Sequence, residues 1–202
     1  MERLEKLYEG KAKILYNTSD PELMVQYFKD DASAFDGKKK GTIVDKGVMN
    51  NHMSSRIFQY LEGEGIKTHF VKNVNDREML VKKLDIIPIE VVLRNVAAGS
   101  LCKRLGIEEG LILKKPILEF FYKSDPLGDP MINECHVDVF DWATKQEVEI
   151  LKSEGNRINN LMIKFFEERH IRLVDFKLEF GRHNGEVMLG DEISPDGCRL
   201  WH

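Results

Sequence analysis

The chain has 202 residues, of which 42% are hydrophobic and 32% are charged, and its formal net charge is −4. This length predicts one large domain or two small ones closely joined, and the composition is that of a globular and not a disordered protein. A negative net charge argues against a protein that coats nucleic acid through a wide basic surface. No apolar run approaches the roughly 20 residues of a membrane-spanning helix. Three widely spaced cysteines without a C-x-x-C pair favour reduced thiols in a cytoplasmic protein.

The first part of the chain predicts short strands around one helix. Two strand-like pieces surround Gly10 in YEGKAKILY, and a third follows in LMVQYFKDD. The polar, glycine-punctuated segment DASAFDGKKKGTIVDKG is typical of a mobile loop. Apolar residues then recur at helical spacing from Lys46 to Leu61, and Gly63 ends that helix. The positions expected to face the core are Met49, Met53, Ile57, Tyr60 and Leu61.

The next part predicts more strands, a short helix and a long helix. THFVKNV and EMLVKKLDIIPIEVVLRNVAAG indicate strands that are interrupted at Pro88. A short helix follows in SLCKRLG, and KSDPLGDPMINECH predicts a second long loop. A long amphipathic helix is expected from about Trp142 to Arg169. Its inward positions are Val148, Leu151, Ile158, Leu161, Met162 and Phe165.

Two acidic strands close the chain. In VDFKLEFG, four apolar residues alternate with Asp175, Lys177 and Glu179, which predicts a β-strand with one buried and one polar face. A solvated strand face is the ordinary explanation of such charges. Asn184-Gly185 is among the strongest hairpin signals, so VDFKLEFG and EVMLGDEI are expected to pair antiparallel.

Two registers are open for this hairpin. A two-residue loop sets Glu179 opposite Gly190 and turns Asp191 toward the apolar face beside Leu178, where an unpaired carboxylate is costly. A three-residue loop with a bulge sets Glu179 opposite Asp191 on the face that carries Lys177, and we favour this register for that reason.

The favoured register brings two carboxylates together. At about 4–5 Å they repel by about 3–4 kcal/mol at an effective dielectric of 20. A divalent cation turns that repulsion into binding, and carboxylate oxygens suit magnesium, which is usually shared with phosphates. Glu179 and Asp191 are therefore predicted magnesium ligands, with two solvated acids near a lysine as the alternative.

Three motifs suit phosphate or carboxylate groups. In YEGKAK, Lys11 and Lys13 are expected on one face of a strand, directly after a glycine that lets the backbone approach a ligand. In LRNVAAGSLCKRLG, Arg94 ends a strand and Ser100 opens a helix whose amides favour an anion; an ordinary helix cap is the alternative for Ser100. Arg199 offers a guanidinium fork for an anion, or forms an ordinary surface ion pair.

These motifs occur together in one known family. YEGKAK, LVKKLD, EVVLRNVAAGSL, GIEEG, VDFKLEFG and LGDEISPDGCRLW follow one another through nearly the whole chain. Together they resemble the SAICAR synthetases, the phosphoribosylaminoimidazole-succinocarboxamide synthases of de novo purine biosynthesis. The resemblance implies a two-lobed α+β fold related to kinase-like and ATP-grasp nucleotide-binding folds, with antiparallel sheets and flanking helices. We expect residues 1–85 to form an ATP-binding lobe and residues 86–202 to form a lobe with the ribotide and magnesium sites.

The resemblance also implies the chemistry. The enzyme would be an ATP-dependent carbon–nitrogen ligase that joins the carboxylate of carboxyaminoimidazole ribotide to the amine of L-aspartate. A carboxylate is a poor electrophile, so ATP would first convert it to an acyl phosphate, with magnesium at the transferring phosphoryl group. ADP and phosphate are released. A cytoplasmic homodimer or larger homo-oligomer is expected.

Residue roles follow from the resemblance as expectations. The ATP phosphates would be held by Gly10, Lys11, Ala12 and Lys13, and the adenine would be bordered by Val81, Lys82 and Leu84. Magnesium would be held by Glu179 and Asp191. The ribotide would be surrounded by Glu90, Arg94, Gly99, Ser100, Asp175, Lys177 and Arg199, of which Asp175, Lys177 and Arg199 are the candidate catalytic residues. A lid from about Asp31 to Gly41, with Ser33 and Asp36, would cover the site and help to place aspartate.

The sequence departs from the family at its end. Chains of this family continue past DGCRLW with an acidic residue and a final helical segment, whereas this sequence stops at Trp201 and His202. If that segment has been removed, we expect closure of the site and full activity to be affected.

Two other functions fit parts of the pattern. A small-molecule kinase would use the same lysines and acids with a hydroxyl acceptor, and it would not consume aspartate. A nucleotide- or RNA-binding module would use GKKKG and LCKRLG. These basic patches are short and lack interleaved aromatic residues, which argues against the second alternative.

Overall fold

The computed structural model describes residues 2–34 and 39–202, with side chains described outside residues 33–40. The chain divides into two compact units, the first comprising Met1–Asp85 and His183–Gly190 and the second Ile86–Arg182 and Asp191–His202. The first break falls where the sequence places its lobe boundary. The sequence-based division at residues 86–202 differs from the structure in one respect, because the tip of the closing hairpin belongs to the first unit.

A five-stranded antiparallel sheet forms the centre of the first unit. Its strands are β1 (Lys6–Glu9), β2 (Lys13–Asn17), β3 (Leu23–Phe28), β6 (Phe70–Asn75) and β7 (Glu78–Lys82). They lie in the order β1-β2-β3-β7-β6. The returning segment attaches beside β6, where the Leu189 carbonyl accepts a hydrogen bond from the His69 amide at 2.8 Å and the Leu189 amide donates to Lys67 O at 3.0 Å.

Two short strands, β4 (Asp31–Ala34) and β5 (Lys39–Thr42), form a separate antiparallel pair. Asp31 pairs with Thr42, and Ala34 pairs with Lys39. The predicted loop is therefore wrong for these two stretches. Strand pairing uses backbone groups, so a segment rich in glycine and lysine can pair without the apolar alternation that predicts strands.

The first helix, α1 (Lys46–Gly63), has the predicted extent, and the predicted Ile57 and Leu61 are buried, but the rest of the buried face differs from the prediction. Met49, expected to face the core, is 63% exposed. The buried positions include polar ones that hold the helix to β6: Asn51 Nδ2 donates to Asn75 O at 3.0 Å, and Ser55 Oγ donates to Asn73 Oδ1 at 2.6 Å. Hydrophobic periodicity misplaces the inward face because part of that face is polar. The buried residues are Gly47, Asn50, Asn51, Ser54, Ser55, Ile57, Phe58 and Leu61.

The larger sheet carries most of the second unit. Its strands are β8 (Asp85–Val96), β9 (Ile112–Tyr122), β10 (Met131–Ile132), β11 (Arg172–His183) and β13 (Cys198–Trp201), together with β12 (Glu186–Gly190), which belongs to the first unit. The order is β10-β9-β8-β11-β12, with β13 pairing on β11. The predicted interruption at Pro88 is wrong, since β8 runs through it. Pairing with β9 begins at Ile89, so the missing amide of Pro88 lies outside that ladder.

Three helices and one 3-10 turn complete this unit: α2 (Ser100–Leu105), the 3-10 turn (Asp125–Leu127), α3 (Glu134–Val139) and α4 (Lys145–Glu167). The predicted second long loop is wrong in part, because KSDPLGDPMINECH contains the 3-10 turn, β10 and the start of α3. The Asn133 side chain begins α3 by accepting from the amides of Cys135 and His136. Among the described residues, no helix combines the length and apolar character needed to cross a membrane.

The helix α4 lies within the predicted span and packs on one face of the sheet. A Thr144–Glu147 capping box begins it. At Gly155, a Cβ atom would come within 3.3 Å of Leu118 and 3.4 Å of Val91, so the missing side chain allows close contact with β8 and β9. The predicted inward positions are confirmed, except that Leu161 is half-buried. Along β8 and β11, charged residues alternate with these apolar ones, so their side chains point to the opposite face of the sheet.

Candidate active site

Buried charges occupy the other face of the sheet in the second unit. Glu90 and Arg94 on β8, Glu119 on β9, and Asp175 and Glu179 on β11 are each less than one-tenth exposed. The ordinary explanation, a solvated strand face, is therefore wrong for these residues. Charges at such depth require partners of opposite charge and hydrogen bonds.

Arg94 connects three elements. Its Nε donates to Glu119 Oε2 at 2.7 Å, its Nη1 to Asp175 Oδ2 at 3.1 Å and its Nη2 to Ser100 Oγ at 3.0 Å. Arg104 of α2 also bonds Glu119. Ser100 is the first residue of α2, whose N-cap is Gly99 with no side-chain capping bond, so the cap alternative for Ser100 is wrong. Its hydroxyl serves Arg94 instead.

Arg199 lies beside this group on β13, opposite Asp175 on β11. Its Nη1 is 3.3 Å from Asp175 Oδ2 but is buried without a hydrogen-bond partner. Its guanidinium covers Gly99, where a Cβ atom would come within 2.6 Å of Nη2 and where φ is +55°. Burial raises the pKa of the Asp175 carboxyl, against the opposing effect of Arg199 and Arg94. A guanidinium that still has a donor to offer suits an anion.

Lys177 forms a second group with two acids. Its Nζ donates to Glu90 Oε1 at 2.6 Å and to Glu179 Oε1 at 2.8 Å, and Lys123 Nζ also donates to Glu179 Oε1 at 2.8 Å. Burial by itself lowers the pKa of Lys177, but Glu179 and Glu90 together raise it above the ordinary lysine value. The ammonium is therefore charged at neutral pH. Its acidic partners are Glu90 and Glu179.

The hairpin loop differs from the favoured prediction. β11 ends at His183 and β12 begins at Glu186, which leaves two residues in the loop. Both have positive φ, +51° at Asn184 and +81° at Gly185, as a type I′ turn requires. The predicted three-residue loop is therefore wrong. Asp191 follows the last residue of β12 with φ of +60°, so strand alternation no longer fixes the direction of its side chain.

The acidic residues near the end of β12 could bind a magnesium ion only together with waters and substrate phosphates. Within the described part of the chain, no three histidine, cysteine or acidic side chains converge as a metal cage. Magnesium, however, is usually bound through one or two carboxylates, waters and substrate phosphates. Next to Asp191, the Oε2 atom of Glu192 is buried without a hydrogen-bond partner, and a cation nearby would satisfy it.

The expected ATP residues of the first unit lie in a turn and at the end of a strand. The amide of Gly10 donates to Lys13 O at 2.9 Å and closes the turn between β1 and β2. Lys11 lies in this turn and only Lys13 is in a strand, so the prediction that both share a strand face is wrong. Val81 and Lys82 end β7, and Leu84 follows it.

Several residues of the buried charged face were not predicted. Glu119, Arg104 and Lys123 all contact predicted residues, yet β9 itself was missed. The stretch ILEFFYK could have indicated this strand and its buried acid, because Glu119 interrupts a run of apolar residues. Asp36 lies outside the described residues, as does the side chain of Ser33, so the lid stays a prediction.

Comparison with known proteins identifies the family. The sequence model of SAICAR synthetase matches residues 6–202. The chain belongs to the SAICAR synthetase family. It is 58% identical over 201 residues to the phosphoribosylaminoimidazole-succinocarboxamide synthase of Chlorobaculum parvum, covering 100% of this chain and 86% of the relative. The enzyme of the same name from Clostridium acetobutylicum is 54% identical with the same coverage.

Solved SAICAR synthetases share the fold. The crystal structure of the enzyme from Ehrlichia chaffeensis superposes with a TM-score of 0.95 at 51% identity, covering 98% of this chain and 85% of that one. A SAICAR synthetase in complex with ADP gives a TM-score of 0.93 at 46% identity, covering 98% and 84%. The resemblance inferred from the sequence and the α+β fold are confirmed. As a SAICAR synthetase, the protein is an ATP-dependent ligase of purine biosynthesis.

Proposed function

We propose that this SAICAR synthetase joins carboxyaminoimidazole ribotide to L-aspartate through an acyl phosphate. The observation that carries the proposal is the buried Arg199 Nη1 beside Gly99, which forms no hydrogen bond although Asp175 Oδ2 lies 3.3 Å away. Such a donor suits the phosphate or carboxylate of a ribotide. The ADP bound to a similar SAICAR synthetase supports ATP as the co-substrate.

The reaction proceeds in two steps. A carboxylate oxygen of the ribotide attacks the γ-phosphorus of ATP, and the bond to the leaving ADP breaks. The aspartate amine then attacks the carbonyl carbon of the acyl phosphate, the bond to phosphate breaks, and the amine loses a proton. Lys177 stays charged between Glu90 and Glu179 and stabilises the negative charge that passes to the ribotide carboxylate.

The contacts assign different roles to the two arginines. Arg94 already donates to Glu119, Asp175 and Ser100, so it acts by holding these side chains in place. Arg199 faces the ribotide directly. Arg199 therefore binds the anion, and Arg94 holds the surrounding side chains in place, as in other preorganised anion sites. The remaining ribotide contacts are assigned to Glu90, Gly99, Ser100, Asp175 and Lys177.

The nucleotide and metal are assigned to the turn, the end of β7 and the acidic hairpin. The ATP phosphates contact Gly10, Lys11, Ala12 and Lys13, and the adenine contacts Val81, Lys82 and Leu84. Glu179 and Asp191 hold magnesium, which supplies positive charge at the transferring phosphoryl group. Asp191→Asn is expected to raise the magnesium concentration needed for half-maximal turnover. An unchanged magnesium requirement would remove Asp191 from this role.

Isotope transfer tests the reaction itself. With oxygen-18 in the ribotide carboxylate, the acyl phosphate route delivers one labelled oxygen to the released phosphate. ADP release must also depend on aspartate, which separates this ligase from a small-molecule kinase. Unlabelled phosphate accompanied by aspartate-dependent product would refute the acyl phosphate.

The location and assembly of the enzyme are further parts of the proposal. The thiols of Cys102, Cys135 and Cys198 are free, the state that the reducing cytoplasm maintains. We place the enzyme there as a homodimer or larger homo-oligomer, with Ser33 and Asp36 in a segment that helps to place aspartate. Light scattering on the purified chain tests the assembly, and a monomer at micromolar concentration would contradict it.

A further inference from the structure

His69 is a buried histidine with an unsatisfied ring nitrogen. The residue is 4% exposed, and its Nε2 atom is buried without a hydrogen-bond partner. Its ring meets Phe58 edge to face, with centroids 5.2 Å apart. Leaving a buried polar atom unpaired costs about 1–3 kcal/mol, so such an atom calls for an explanation.

The backbone fixes His69 directly beside the strand end assigned to the adenine. Its carbonyl accepts a hydrogen bond from the Lys82 amide at 2.7 Å, and its own amide donates to Leu189 O at 2.8 Å. The neighbouring Phe70 pairs with Val81 across β6 and β7. The Lys82 ammonium lies 3.3 Å from the carbonyl of Thr68, the residue before His69. The backbone of His69 is thus held on both sides by residues whose positions the sheet determines.

The electrostatic environment keeps this imidazole neutral. Burial, followed by the charges of Lys13 and Lys82, lowers its pKa to about 3. At neutral pH the ring therefore carries no charge with which to attract a phosphate, and the two lysines already supply that charge. A neutral ring nitrogen beside Phe58 instead suits a neutral, planar hydrogen-bonding group such as a nucleotide base.

We propose that His69 Nε2 accepts a hydrogen bond from the exocyclic amino group of the adenine, which makes His69 a specificity-determining residue for ATP. The proposal rests on the assignment of Val81, Lys82 and Leu84 to the adenine. Hypoxanthine has a carbonyl oxygen in place of that amino group, so two acceptors would face each other. His69 therefore selects ADP and ATP over the inosine nucleotides.

Calorimetric titration of the full chain with ADP, inosine diphosphate and tripolyphosphate tests the proposal. His69→Phe keeps an aromatic ring against Phe58 but removes the acceptor, so we expect ADP to bind about tenfold more weakly. Inosine diphosphate should bind as tightly as before or more tightly, because the opposed acceptor is gone. His69→Gln restores an acceptor and keeps the preference for ADP. Tripolyphosphate, which has no base, binds all variants alike. His52→Phe is the matched control, because His52 is an exposed histidine of α1, and it leaves ADP binding unchanged.

Two outcomes would overturn the proposal. One is wild-type ADP affinity in a folded His69→Phe protein. The other, which needs no variant, is an imidazole nitrogen resonance of His69 that does not move when ADP is added to the wild-type protein. Failure of the ligase assignment has a different signature, the absence of aspartate-dependent ADP release, and the binding measurements do not depend on it.

Discussion

Replacing Arg94 by lysine tests whether the planar guanidinium holds the buried charged face together. The substitution keeps the positive charge but exchanges three directed donors for one ammonium on a flexible stem. Arg94 donates to Glu119 on β9, Asp175 on β11 and Ser100 on α2, at 2.7–3.1 Å. No single ammonium position can satisfy acceptors that lie in three directions around a planar group.

The loss of stability follows from the hydrogen bonds that the substitution removes and from those that remain. A hydrogen bond to a charged group contributes about 1.5–3 kcal/mol, and a neutral one about 0.5–1.5 kcal/mol. Glu119 keeps Arg104, and Asp175 keeps Arg199, so neither acid is left alone. We therefore expect Arg94→Lys to lower the free energy of unfolding by about 2–3 kcal/mol. For a chain of this length, that corresponds to a drop in melting temperature of about 4–12 °C.

Differential scanning calorimetry measures the stability of the variant, and steady-state kinetics measure its activity. Arg104→Lys is the matched control, because Arg104 bonds the same Glu119 from a side chain that is one-third exposed, and its loss should cost less than about 1 kcal/mol. Arg94→Lys should also raise the KM for the ribotide far more than the KM for ATP. Equal melting temperatures for the two variants would refute the structural argument, and equal effects on both KM values would refute the role of Arg94 in supporting the ribotide site.

Three further predictions concern single residues. Gly99→Ala and Gly106→Ala both place alanine at positive φ, but only at Gly99 does the new Cβ meet Arg199. Only Gly99→Ala should therefore raise the KM for the ribotide, and similar KM changes in both variants would contradict this. Lys177→Met should lower turnover by about a hundredfold or more while ADP still binds in calorimetry, and loss of ADP binding would argue against a role confined to the chemical step. Unfolding free energy should fall by up to about 1.4 kcal/mol per pH unit between pH 6.5 and 5, because the unfolded chain protonates His69 near 6.5 and the folded chain only near 3. His69→Phe should lose this slope in urea titrations, and an unchanged slope would assign it to other groups.

Much of the fold was predictable because local signals and the final structure agree. The boundaries of α1 and α2 follow from their glycines, and α4 lies within its apolar period. The failures have physical causes. β4 and β5 pair through backbone groups in a polar segment, and the inward face of α1 includes asparagine and serine. Hydrophobic patterning does not detect structure that polar atoms hold in place.

The candidate site was predicted as a set of residues but not as a set of contacts. Sequence pattern singled out Arg94 and Glu179, and the family resemblance added Lys177; the structure gives each of them a partner of opposite charge. The sequence missed Glu119 because long-range pairing between β8 and β9 determines which residue faces Arg94. Strand alternation also favoured the wrong hairpin loop, since it holds for Asp191 only if the strand continues through that residue. The left-handed conformation at that residue removes the premise.

The balance of charge separates the two halves of the buried face. In the arginine group, Arg94, Arg104 and Arg199 form ion pairs with two acids among the described side chains, Glu119 and Asp175. In the lysine group, two ammonium groups meet two carboxylates, Glu90 and Glu179.

A buried ion-pair group is weak evidence for stability, since well-packed apolar residues often serve as well. The unequal division is easier to explain by function. The arginine group has one positive charge in excess, and its unsatisfied donor belongs to Arg199, so an anionic substrate completes it. The lysine group is balanced before substrate binds, which holds the Lys177 ammonium in a fixed place beside the carboxylates. Fixed charges of this kind stabilise developing charge without reorganising during the reaction. In the proposed function, the excess charge is where the substrate anion binds, and the balanced group is where charge moves during the reaction.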